Sequence, residues 1–262
     1  MTHPSALIPA LVLAGERPAG TDPMATSGAL NGAAHKAFLP LNGRPMLDYV
    51  FSALNDADDV GTLTMSAPAH LHAAFGEADP EMALLASANS PAQSIAAALA
   101  HFQDAPEVLV TTCDHPLLTP QIVTQFIERA RAQDVDVSVG CVTRSVFKSS
   151  FPSAKRTFVA LRDIQFSGAN LFYIRPANAG GLFSYWVHLE QHRKNPLALA
   201  RAIGLGLAIR YAFGRLTLHK LLETVEARCS TRCTLVPLDD PVAAIDVDKP
   251  ADIALATRLL QA

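Results

Sequence analysis

The hydrophobic positions of the chain alternate between short continuous runs and stripes at helical spacing. Residues 7–13, interrupted only by Pro9, form a run that fits a buried strand and stops at Ala14-Gly15. Residues 62–67, the β-branched 107–113 and 135–142, with a weaker segment at 84–86, are further strand candidates. Between them the spacing turns helical. Pro45 stands at a helix start with Met46, Val50 and Leu54 on one face, and residues 70–76 read as a short helix. In NSPAQSIAAALAHF, Ser90 is an N-cap and Pro91 takes the first helical position; Pro120 opens another helix that runs to Gln133.

After residue 142 the pattern changes. Residues 144–166 carry Arg144, Lys148, Lys155, Arg156 and Arg162 among Ser and Phe, and the alternation of Phe158, Ala160 and Ile164 predicts an antiparallel excursion off the main sheet. Residues 180–227 read as helical. Trp186, Leu189, Leu197, Leu199 and Ile203 are core or interface positions there, and Gly204-Leu205-Gly206 weakens the middle. The segment suits a lid, a homodimer surface or a peripheral membrane-surface patch, and its sequence does not separate the three. A last strand across 243–248 precedes a final helix that ends at Leu260.

Composition narrows the class. A chain of 262 residues, half of them hydrophobic, buries a sizeable core as one α/β domain or two small ones. A net charge of −3 leaves no polycationic footprint, which argues against nucleic acid as a partner. The longest apolar stretch, Leu197 to Phe213, contains Arg201 and Arg210 and so does not read as a membrane span. The opening residues lack a basic n-region and a cleavage site, and they read as the lead into the first strand rather than as a signal peptide. Cys113 and Cys141 lie in apolar runs as core residues. Cys229 and Cys233, spaced C-x-x-x-C with no partner pair nearby, make a poor zinc motif. These features together point to a cytoplasmic enzyme or binding protein.

Four places carry candidate chemistry. After the first strand, Gly15, Gly20, Gly28 and Gly32 with Arg17 form a loop that closes on Lys36; backbone N–H groups and a lysine suit a phosphate. The helix start at Ser90 offers free N–H groups and small hydroxyls. Asp114 follows directly on the strand 107–113, where open α/β sheets place ligands, and a carboxylate there suits Mg²⁺. Asp246 and Asp248, two apart on the last strand, share a face, and a cation would relieve their repulsion. Asp252, in the first turn of the final helix, complements its dipole.

In this order, VLAGERPAG with Lys36, the strand ending in Cys113-Asp114-His115-Pro116, the segment SGANLF and the segment IDVDKPADI resemble the MobA-like NTP transferase family. Its relatives include cytidylyl-, guanylyl- and sugar-phosphate nucleotidyltransferases. The resemblance runs from about residue 7 to 259 and is weakest across 180–230. It implies a three-layer α/β/α GT-A (Rossmann-like) fold with a mostly parallel sheet and a helical insertion near 180–227. One domain would then comprise a nucleotide-binding half, 7–142, and an acceptor-binding half, 143–262. The implied nucleotide-binding residues are Leu13, Ala14, Gly15, Glu16, Arg17 and Lys36, with Gln93 and Ser94 near base and ribose. Lys36, Arg17 and Asp114 would be catalytic, Asp114 and Asp248 would hold Mg²⁺, and Gly168 and Asn170 would lie at the acceptor. The implied reaction moves an NMP group from an NTP to a small phosphorylated acceptor and releases pyrophosphate. The alternatives are a glycosyltransferase of the same fold using a nucleotide-sugar, or a nucleotide-binding protein without catalysis. Two departures bear on nucleotide choice and activity: Glu16 replaces the second glycine of the usual Leu-Ala-Gly-Gly, and the loop to Lys36 is longer than usual.

Overall fold

The apolar run that ends at Ala14-Gly15 becomes an inner strand of an eight-stranded sheet. The computed structural model describes residues 7–16, 21–78, 82–192 and 195–261. Its strands are β1 (Ile8–Leu13), β2 (Pro40–Leu41), β3 (Arg44–Pro45), β4 (Val60–Ala67), β5 (Ala83–Ala86), β6 (Val108–Thr112), β7 (Val137–Thr143), β8 (Val159–Ala160), β9 (Gln165–Ile174) and β10 (Cys233–Pro237). The helices are α1 (Pro23–Thr26), α2 (Met46–Asn55), α3 (His72–Ala78), α4 (Pro91–Ala98), α5 (Pro120–Arg131) and α6 (Arg144–Ser150), then α7 (Pro176–His192), α8 (Pro196–Ile203), α9 (Leu205–Ala212), α10 (Leu218–Cys229) and α11 (Pro250–Leu259). The sheet order is β10-β7-β9-β6-β1-β4-β5, with β8 paired to β9, while β2 and β3 form a separate hairpin. Strand β9 runs antiparallel to β6 and β7, and the pairs β1–β4, β1–β6, β4–β5 and β7–β10 are parallel.

Successive side chains of a strand point to opposite faces, and β1 shows why both faces of this sheet are covered. Ile8, Ala10 and Val12 pack on one side with Leu47, Val50 and Leu54 of α2, Phe75 of α3 and Ile122, Phe126 and Ile127 of α5. Leu11 and Leu13 pack on the other with Ile95 and Ala98 of α4 and with Ala179 and Phe183 of α7. A three-layer α/β/α sandwich results, as the resemblance implied. Gly181 lets α7 approach α10 closely, since a Cβ there would fall 2.0 Å from the Cys229 carbonyl oxygen.

The helix starts follow their local chemistry. Ser90 Oγ accepts from Gln93 N at 3.3 Å with Pro91 in the first turn, and Thr119 caps α5 in the same way.

Two expectations change. The segment 144–166 makes α6 and then the short β8, which pairs antiparallel with β9 off the main path as the alternation predicted, but the strand it leads into belongs to the sheet itself: β9 lies between β6 and β7, where Ala169, Leu171, Tyr173 and Ile174 are buried. Residues 243–248 are not a strand. A 3₁₀ turn, Pro241–Ala244, capped by Asp240, is followed by an extended stretch held by Val247 N donating to the Asp114 carbonyl at 2.8 Å. The edge strand is instead β10, beside β7. Of the two readings of Leu197, core or interface, its 72% exposure on α8 leaves the interface. The break at Gly204 is real: its φ of 108° ends α8 and starts α9. Cys113 and Cys141 are buried as expected.

Candidate active site

Strands β1 and β6 are neighbours, yet β1 connects outward to β4 while β6 lies on its other side. Their carboxyl ends therefore flank a topological switch point, where an open α/β sheet leaves a crevice. A cavity of about 480 Å³ opens there. Gly15 and Glu16 after β1, Ser90 and Ser94 at the start of α4, and Thr112 and Asp114 at the end of β6 line it. His35 and Lys36 enter from the first loop, and Asn170, Asp246 and Asp248 close the far side.

At its centre, Lys36 Nζ donates to Asp114 Oδ2 and, at 3.4 Å, to Asp248 Oδ1. Thr112 Oγ1 donates to the other Asp114 oxygen at 2.5 Å. Burial works against ionising Asp114, but the Lys36 charge and the hydrogen bonds from Lys36 and Thr112 outweigh it and hold the carboxyl below its usual range. Burial likewise opposes the Lys36 charge, and Asp114 and Asp248 raise its pKa well above that of an ordinary lysine. Asp248 is set by α11, whose Asp252 Oδ2 accepts from Asp248 N at 3.1 Å and from Lys249 N at 2.9 Å. Asp252 thus caps the helix as well as complementing its dipole.

A second pair faces this one. Arg156 Nη1 donates to Asp246 Oδ1 at 2.5 Å, Arg156 Nε to Ser167 Oγ at 2.8 Å, and Asn170 Nδ2 to Asp246 Oδ2 at 3.2 Å. The register of β9 against β7 shifts between Val139 and Cys141, and Asn170 has φ 52° beside this irregularity. Such bulges re-aim side chains at functional sites, and this one accompanies an Asn170 that lines the cavity.

His35 is 4% exposed and buttresses the first loop. Its Nδ1 accepts from Ala37 N at 3.1 Å, and its ring meets Phe75 edge-on with centroids 5.8 Å apart. Burial, then the Lys36 charge, lower its pKa from 6.5 to about 4, against an opposing hydrogen bond with the Gly15 backbone. The unfolded chain therefore takes up this proton first as pH falls. The stability held by neutral His35 is complete above pH 6.5 and is lost as pH falls towards about 4. His35→Gln should remove about 3 kcal/mol of pH-dependent stability across that window, while the Asp114 contribution is lost only at lower pH. Urea denaturation at several pH values checks this, and parallel curves for the two proteins would contradict it.

A family model for the MobA-like NTP transferase domain matches residues 10–203. The chain belongs to this family. No curated protein sequence matches it significantly. Among solved structures, the chain is similar to a hypothetical transferase from Thermus thermophilus at 26% identity and a TM-score of 0.76, covering 94% of this chain and 99% of that one. The fold also matches 4-diphosphocytidyl-2C-methyl-D-erythritol synthase from Anaerococcus prevotii, with 9% identity, a TM-score of 0.61 and coverage of 98% and 99%. CMP:2-keto-3-deoxy-manno-octonic acid synthetase complexed with CTP matches at 14% identity and a TM-score of 0.56, with 98% of each chain covered. Nucleotidyl transfer is accordingly the general activity class of this MobA-like transferase.

Its fold brings together Leu13, Gly15, Glu16, Lys36, Ser94, Asp114, Asn170 and Asp248 around one cavity. Ala14 is buried beside it, with its N–H donating to the Ser66 carbonyl at 2.8 Å. Gln93 and Gly168 do not line the cavity; Gln93 N is used by the Ser90 cap, and the Gly168 carbonyl accepts from Arg156 at 3.4 Å. Arg17 and Gly20 lie outside the described residues, as do residues 1–6. The Glu16 carboxylate lies 3.6 Å from His70 Nε2. Asp22 also lines the cavity; it, His35 and Thr112 carry no sequence signal of their own as site residues, and Arg156 stands in the sequence as one of five cations. A histidine beside a loop lysine carries no pattern of its own. Thr112 was visible as the residue two before Asp114 on the same strand face.

Among the described residues, no group of three or more His, Cys, Asp or Glu side chains is placed to hold a metal alone. Mg²⁺ asks for less, one or two carboxylates with the substrate's phosphates supplying the rest. Asp114 and Asp248, both within reach of one ammonium, make a donor pair of that kind.

Proposed function

We propose that this MobA-like transferase moves a nucleoside monophosphate from an NTP to a small phosphorylated or phosphonate acceptor and releases pyrophosphate. The observation that carries the reading is the pair Asp114 and Asp248 converging on Lys36 at the carboxyl end of β6, inside the switch-point cavity. The nucleotide would lie between the first loop, at Leu13, Ala14, Gly15, Glu16, Arg17 and Lys36, and the start of α4 at Gln93 and Ser94. The acceptor would lie on the side of Gly168 and Asn170, where Arg156, paired with the cavity-lining Asp246, would offer a cation to a phosphate.

Asp114 and Asp248 would hold Mg²⁺, which when bound supplies charge neutralisation for the triphosphate and the acceptor oxygen. The remaining work falls to the chain. Lys36, with Arg17, would neutralise charge developing on the α-phosphate and on the leaving pyrophosphate. Asn170 and Arg156 would orient the acceptor so that its oxygen meets the α-phosphorus opposite the departing group. The new bond joins that oxygen to phosphorus, the α–β phosphoanhydride bond breaks, and pyrophosphate carries off its electron pair. An ionised phosphate needs no base to remove a proton, which agrees with a centre built from carboxylates already paired to a cation.

A thermal-shift screen with ATP, GTP, CTP and UTP, each with and without Mg²⁺, tests the donor half of this reading. One nucleotide should stand out with Mg²⁺, by about 2.7 kcal/mol at a hundred times its Kd. A shift with a nucleotide-sugar and with none of the triphosphates would favour a glycosyltransferase instead.

A further inference from the structure

The fold leaves most of its exposed large apolar side chains in one place. Of the seven among the described residues, Leu197, Leu205, Ile209, Tyr211 and Phe213 belong to the α8–α9 segment. Helix α9 explains the arrangement. Leu207, 6% exposed, turns inward against Leu161 and Leu216. Leu205, Ile209 and Phe213 follow each other at intervals of four on the opposite side and are 58%, 57% and 75% exposed. A stripe of this kind on a folded protein marks a contact surface.

Charge selects the contact. Residues 191–222 hold six Lys and Arg and no Asp or Glu, in a chain whose net charge is −3. Arg201, Arg210 and Arg215 are exposed around the stripe. Apolar side chains that can enter the boundary between headgroups and acyl chains, rimmed by guanidinium groups at the level of lipid phosphates, match an anionic bilayer surface. A second copy on this face, related by a two-fold axis, would set the same cationic rim against itself. No helix among the described residues is long and apolar enough to cross a membrane, so the match is to the surface of a leaflet.

We propose that α8 and α9 dock the protein onto anionic lipid bilayers, the apolar stripe inserting at the interface and Arg201, Arg210 and Arg215 meeting lipid phosphates. None of these residues lines the switch-point cavity, so docking and chemistry separate in an experiment.

Full-length protein is sedimented with vesicles of phosphatidylcholine alone, or with about 30% phosphatidylglycerol, at low salt and at about 1 M, where the screening length is about 3 Å. The protein should pellet with the phosphatidylglycerol vesicles at low salt and bind at least about tenfold more weakly in the other conditions. Arg210→Ser with Arg215→Ser should weaken binding about 25-fold, roughly fivefold per cation, and Ile209→Ser with Phe213→Ser should abolish it. All four side chains are exposed, and near-UV circular dichroism checks that the variants fold. Equal binding to both vesicle types, or no binding to either, would overturn the proposal. So would a dimer seen by light scattering that the Ile209 and Phe213 substitutions dissociate, which would assign the face to a second copy.

Discussion

Asp114→Asn should leave the protein folded and lower nucleotidyl transfer by about a thousandfold or more. The amide keeps the shape of the carboxylate and its contact with Thr112, but it removes the charge that faces Lys36 and that would hold a cation. Breaking a buried ion pair costs about 3–5 kcal/mol when one charge is left alone. Lys36 keeps Asp248 at 3.4 Å, so the loss should fall at or below the lower end of that range. Urea denaturation gives the stability, and pyrophosphate release gives the turnover. An Asp114→Asn protein that turns over within tenfold of the parent would remove Asp114 from the catalytic centre.

Lys36→Met should separate two roles of the ammonium group. Turnover should fall by about 10²–10³, the usual effect of losing one preorganised group that stabilises developing charge. Stability without divalent cation should fall too, because Asp114 and Asp248 lose the charge between them and repel. In the parent protein, Lys36 would compete with a cation for these carboxylates. The variant should therefore gain more melting temperature from added Mg²⁺ than the parent does. An equal gain in both proteins, or a gain in the parent alone, would contradict the assignment of these two carboxylates to a cation.

The two halves of the fold were not equally legible in the sequence. Strand β1 is an apolar run broken only by Pro9, β4 and β6 are short, largely buried segments rich in Val, Leu, Met and Thr, and Ser90-Pro91 and Thr119-Pro120 announce their helices by local capping chemistry. The position of β9 was not readable. Gln165 to Ile174 pairs with β6 and β7 through residues distant in sequence, and no local feature says that such a strand enters the sheet rather than leaving it. Asp246 and Asp248 do face one cavity, but as an extended stretch pinned by one backbone bond to Asp114, a contact that side-chain alternation cannot encode. The site shows the same division. Lys36, Asp114 and Asp248, which the fold brings together, stand in recognisable sequence contexts, whereas Arg156 is placed by Asp246 and Ser167 and looked in sequence like its four basic neighbours.

Phosphoanhydride cleavage coupled to transfer leaves two phosphorus products. ³¹P NMR of the protein with the nucleotide selected by thermal shift, Mg²⁺ and a panel of sugar phosphates, alcohol phosphates and phosphonates reads both products at once. Pyrophosphate should appear in step with a new diphosphate or phosphonate–phosphate anhydride, and neither should appear with Asp114→Asn. Nucleotide bound with no pyrophosphate from any acceptor, or a sugar transferred from a nucleotide-sugar, would contradict it.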